Sequence, residues 1–178
     1  MKNPVLRISA LLCLFLTGCA SGKIHEKSYL RAVSVSGKNG SELVLAFYDD
    51  DTVVEASGKS TDDAEKTAGF MIGKPVFTGY TELILIDGSE CRDRLVHMLN
   101  HWKVSPSCIV AYCGSGKELL KKRETEKLIG AAKQAVEQGI APNCDVITVL
   151  GKLCVGHTAE IAELYPDGTA GSHIIYQF

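Results

Sequence analysis

Two histidines, His97 and His101, stand four residues apart in a stretch of helical periodicity, the spacing at which two imidazoles on one helix can share a metal ion. A zinc-peptidase helix needs a glutamate directly after the first histidine to act as general base. Met98 occupies that position, and Leu99 and Asn100 supply no acid. The pair projects on the side of Arg94, away from the stripe that contains Leu95, so the pattern predicts a wetted helix face. Gly114-Ser115-Gly116-Lys117 follows an apolar strand and opens a helix, which is the setting of a phosphate-binding loop. The Walker pattern would put glycine at Ala111 and a magnesium-binding hydroxyl at Glu118, where an acid repels phosphate. Glycine serves such a turn for conformational reasons alone. Asp49-Asp50-Asp51 lacks the alternating ligands, the glycine and the closing glutamate of a calcium loop, and Thr52-Val53-Val54 resumes a strand, so a solvated hairpin tip is expected. No Ser/His/Asp, paired-carboxylate or metal grouping emerges, and the expectation is a non-enzymatic protein without catalytic, cofactor or metal residues.

One residue does carry chemistry. Lys2 and Arg7 precede an apolar run from Ile8 to Leu16, too short to span a bilayer as a permanent helix, and Leu16-Thr17-Gly18-Cys19 closes it. This ending resembles the lipobox of bacterial lipoproteins. The resemblance implies that the Cys19 sulfur receives a diacylglyceryl group, that the chain is cut before Cys19, and that residue 19 becomes the membrane anchor. Two acyl chains, at about 0.8 kcal/mol per buried methylene, hold a protein to a bilayer where one holds it only marginally.

Loss of residues 1–18 removes two bases and no acid, leaving 160 residues with 17 bases, 21 acids and a net charge of −4. A mildly acidic chain has no electrostatic footprint for nucleic acid and no polybasic grip on anionic lipid, so attachment must come from the lipid. Cys91, Cys108, Cys113, Cys144 and Cys154 remain besides Cys19, an odd set with no CxxC pair, which fits neither a disulfide framework nor a zinc site. Cys91, Cys108 and Cys154 lie in apolar stretches and read as small buried hydrophobes.

The elements that must carry these residues are legible from patterning. Strands are expected at Tyr29 to Val35, with Tyr29, Val33 and Val35 on one face, at Glu42 to Tyr48, and again from Thr52. Ser60 and Asp63 have capping-box spacing ahead of a helix over Thr61 to Ile72, ended by Gly73. Residues 74–80 read as a connector and Glu82 to Ile86 as a buried strand. A second helix, capped by Asp87 or Ser89, carries Cys91, Leu95, Met98, Leu99 and Trp102 as one stripe. Cys108 to Cys113 is a further strand. The charged block Lys121 to Lys127 leaves one helix or two over Lys117 to Gln138. Asp145 to Leu153 is ambiguous between helix and strand, Thr158 to Leu164 has no clean period, and His173 to Phe178 suggests a terminal hairpin. The fold class expected is α/β (α+β), a mixed β-sheet near residues 30, 43, 53, 84 and 109 with helices packed on it.

The order of these pieces resembles a known family. A lipobox cysteine, the strand Tyr29-Leu30-Arg31-Ala32-Val33, a helix start within Gly58 to Ala64, and Gly73-Lys74-Pro75-Val76-Phe77-Thr78-Gly79-Tyr80 leading into Leu83-Ile84-Leu85-Ile86 are similar to the N-terminal region of the Ger(x)C family. This is the lipoprotein subunit of spore germinant receptors. Leu95 to Val104, Ser107 to Tyr112 and Lys117-Glu118-Leu119-Leu120 extend the likeness, which runs from Leu16 to Leu120 and more faintly over Asn143 to Phe178. Family members commonly have histidine at Tyr80 and tryptophan at Ala20, and are longer, with three domains. The resemblance implies helix over Asp145 to Leu153. It also implies a signal peptide at 1–18, a tether at 19–28, an N-terminal domain at 29–140 and, at 141–178, a partial second domain or hairpin extension. The function implied is a lipid-anchored subunit or accessory protein of a germinant receptor on the outer face of the cell or spore inner membrane, in contact with the other receptor subunits. The alternative is an unrelated surface lipoprotein that binds a small ligand, nucleotide or metal at Gly114 to Lys117 or at the two histidines.

Overall fold

The computed structural model describes residues 26–37, 41–49, 53–87 and 91–176. The expected leader at 1–18, Cys19, most of the expected tether, and Asp50 and Asp51 of the expected hairpin tip lie outside them. The described chain folds as α/β around a mixed sheet of eight strands: β1 (Ser28–Ser36), β2 (Glu42–Phe47), β3 (Val53–Ser57), β4 (Val76–Phe77), β5 (Leu83–Ile86), β6 (Ile109–Tyr112), β7 (Thr158–Leu164) and β8 (Ala170–Tyr176). The order across the sheet is β3-β2-β1-β5-β6-β7-β8, with β4 paired to the start of β1. β1, β5, β6 and β7 run parallel, and antiparallel hairpins extend the sheet at both edges.

Helices cover both faces of the sheet. Every residue of Leu83-Ile84-Leu85-Ile86 is at most 1% exposed, which a strand achieves only when packed from above and below. The same cover explains β1: the sequence predicts one apolar face, whereas Leu30, Ala32, Val33, Ser34 and Val35 are all buried because β1 lies mid-sheet. α1 (Thr61–Ile72) packs on β2 and β3, and α2 (Cys91–His97) runs on as a π-helical turn over Met98–Trp102 and contacts α5 (Val146–Gly156). α3 (Gly116–Lys122) and α4 (Thr125–Glu137) take the other face, over β1 to β3 and β6 to β8 respectively.

The caps follow the chemistry that the sequence offers. Asp63 N–H donates to Ser60 Oγ at 3.3 Å, and Gly73, at φ 70°, ends α1 in the left-handed conformation that glycine adopts without strain. Thr148 N–H donates to Asp145 Oδ1 at 2.8 Å, which starts α5 and resolves residues 145–153 as helix. The charged block splits α3 from α4. Two elements depart from the pattern reading. The connector at 74–80 contains β4, whose Val76 and Phe77 pair with Ser28 and Tyr29. Thr158 to Leu164, without a clean period, is β7: Ala159, Ile161, Ala162 and Leu164 are all buried because α4 and α5 both pack on it.

Candidate functional site

The two histidines are brought together as the spacing requires, their rings stacked 4.5 Å apart between centroids. His97 is not simply wetted. Its Nε2 lies 2.8 Å from Asp62 Oδ1 on the first turn of α1, so the imidazole joins α1 to α2 across the helix layer, with His101 outermost and exposed. Burial pushes the Asp62 carboxyl up. The hydrogen bond and charge of His97, the nearby Trp102 indole and His101 outweigh it, and the carboxyl sits below its usual range. The Trp102 N–H is buried and makes no well-formed hydrogen bond of its own. Among the described residues no group of three or more His, Cys, Asp or Glu side chains is placed to hold a metal ion.

The Gly114 to Lys117 turn has a different geometry from a phosphate loop. Ser115 caps α3 by accepting from Glu118 N–H at 3.4 Å. Gly116 is required by packing: a Cβ there would overlap the Ser34 side chain, so the helix start lies directly on β1. Lys117 Nζ lies 2.5 Å from Glu55 Oε2 on β3, and Lys121 pairs with the same carboxylate. These pairs, chiefly the hydrogen bonds from the two lysines, hold Glu55 below its ordinary pKa. The cation that a nucleotide would need instead ties α3 to the sheet edge.

The thiols divide by burial. Cys108, Cys113 and Cys144 are buried, and burial raises all three, Cys113 to about 12, with the Asp87 and Glu163 carboxylates adding to the effect there. A thiol so held carries little thiolate near neutral pH. Cys154, expected inside, is exposed, because α5 buries Val146, Val149, Leu150 and Leu153 and turns Cys154 outward with Val155. The side chain of Cys91 lies outside the described residues, as does Cys19.

Pattern reasoning missed a polar cluster at the end of the sheet where β1 begins. Tyr48 Oη donates to Glu82 Oε1 at 2.8 Å, Arg31 Nε donates to the same oxygen at 3.3 Å, and Lys133 Nζ lies 3.6 Å from Glu82 Oε2. The Arg31 guanidinium also stands over the Tyr48 ring at 5.1 Å. Burial, then the Glu82 hydrogen bond and charge, push Tyr48 up to about 12. Burial pushes Glu82 up as well, but Tyr48, Lys133 and Arg31 prevail and keep it ionised. The cluster braces β1, β2, β5 and α4, with the Glu82 carboxylate shared among Tyr48, Arg31 and Lys133. Beside it Tyr29, Phe77 and Tyr80 form an aromatic trio with centroids 5.2 to 5.6 Å apart. Partners 34 to 51 residues apart in sequence leave no local signal. Only Glu82, heading a buried strand, was readable as a strand-edge polar residue.

Compared with known proteins, the chain matches no family model, no curated protein and no solved structure.

Proposed function

We propose that this protein is a lipid-anchored, non-enzymatic subunit or accessory protein of a spore germinant receptor, acting by protein contact at the membrane. The observation that carries the reading is the ordered N-terminal sequence: two bases, an apolar run and Leu-Thr-Gly-Cys ending at Cys19, followed by the strand and turn sequences that resemble the Ger(x)C family. The geometry is compatible with it. Two of the residue groups with chemical spacing help hold the fold, Asp62 with His97 and Glu55 with Lys117 and Lys121, and the reading gives the working role to the surface. No helix among the described residues is long and apolar enough to cross a membrane, so on this reading the lipid at Cys19 supplies the attachment.

Deletion of the gene tests the role. Spores of the deletion strain are expected to respond more slowly, or not at all, to the nutrient sensed by the affected receptor, and a Cys19→Ala allele is expected to copy the defect. Unchanged nutrient-triggered germination would contradict it.

A further inference from the structure

The surface around the entry of the chain into the fold is apolar where a surface of this acidic protein would be expected to be polar. Phe70 is 86% exposed, Met71 62% and Tyr80 61%. Phe70 lines a groove of about 430 Å³ at the C-terminal end of α1, bordered by Lys66, Lys74 and Pro75 and by one acid, Glu65. That groove touches the beginning of β1, because Ser28 N–H donates to the Pro75 carbonyl at 3.0 Å and Tyr29 stacks on Tyr80. Lys27 stands 5.1 Å over the Phe77 ring at the same place.

Only eight residues separate Cys19 from Ser28, and the nine Cα–Cα steps between them reach about 30 Å at full extension. If Cys19 carries the lipid, this end of the sheet is held beside the bilayer. We propose that the Phe70–Met71 face is a membrane-docking surface: the two side chains enter the headgroup and acyl boundary, while Lys27, Lys66 and Lys74 lie against anionic headgroups. The inference rests on the proposed lipid anchor and adds an orientation to it. Interfacial elements combine these features, large apolar side chains flanked by lysines, and bury about 5–10 Å into the boundary. The occupant is the bilayer surface because the tether length brings it there. The docked body stands with β1 pointing away from the membrane, and presents the far ends of β1, β5, β6 and β7 to partners.

The test uses full-length protein, purified from membranes and reconstituted into vesicles of phosphatidylcholine and phosphatidylglycerol with brominated acyl chains. Phe70→Trp and Glu42→Trp each add one indole to the parent, whose single tryptophan, Trp102, sets the baseline. Both sites are exposed, but Glu42 pairs with Ser36, eight residues along β1 from Ser28 and about 26 Å away. Docking predicts that bromine quenches the added emission at position 70 about threefold more than that at position 42. Lys66→Glu combined with Lys74→Glu should reduce this difference on anionic vesicles and leave it unchanged on neutral ones. If the protein floats with the vesicles but position 70 is quenched no more than position 42, the docking surface is wrong and the anchor stands. If the protein does not float with the vesicles, the anchor reading fails and the docking inference fails with it.

Discussion

The helix pair α1–α2 and the β6–α3 turn both carry residues at the spacing of catalytic or binding motifs, and the fold uses the two in different ways. At α1–α2 the histidine lies partly inside, its side chain 29% exposed, and bonds a carboxylate whose pKa the contact lowers. At β6–α3 the polar partners are exposed, and what matters is a glycine with no side chain at all, Gly116 lying on Ser34. In the first region polar chemistry supports packing. In the second, packing alone decides, and the lysine is an accessory.

The largest effect should come from the glycine. Gly116→Ala is expected to destabilise by about 3 kcal/mol in urea unfolding, because the new Cβ overlaps Ser34 and α3 must lift from the sheet. Gly114→Ala, with nothing within 4 Å of its Cβ, should be nearly silent. Ser34→Gly should recover part of the loss in the double variant, and equal losses at both glycines would dissolve the contrast.

Asp62→Ala comes next, at about 1 kcal/mol near neutral pH once the half-exposed position is discounted. Its pH signature is specific. A carboxyl whose folded pKa lies below its ordinary value adds stability above that ordinary value, and the contribution is lost as pH falls through the lower folded value. The parent should therefore lose its advantage over Asp62→Ala in acid. A constant gap down to the lowest pH would show that the side chain acts through packing and not through charge.

A thiol reagent on the native protein should find Cys154 readily and Cys108, Cys113 and Cys144 only on unfolding, so Cys154→Ser should remove a fast-reacting thiol. The smallest effect is expected from Lys117→Ala: no measurable change in unfolding, and no nucleotide affinity in parent or variant by calorimetry. A measurable affinity lost on substitution would restore the phosphate-loop reading.

Sequence patterning served best where local chemistry and tertiary position agree. Ser60, Asp63 and Gly73 bound α1 at Thr61–Ile72 because capping is decided within one turn. The buried run Leu83–Ile86 reads directly as a covered strand. It served poorly where neighbours decide. β4 is two residues long and exists because β1 lies beside it. The alternation of β7 is lost under helices on both faces, and the widening of α2 into a π-helical turn over Met98–Trp102 has no local signature. The helical spacing of His97 and His101 was legible, but Asp62, 35 residues earlier, was not. The same holds for the Tyr48–Glu82–Arg31 cluster, assembled from β1, β2 and the head of β5.

The most direct test of the proposed function is the mass of the N-terminal peptide of protein extracted from native membranes. A mature chain beginning at residue 19, with a diacylglyceryl thioether on Cys19, is the expected result. A free thiol at Cys19, or a chain that begins elsewhere, would contradict lipid anchorage and the role built on it.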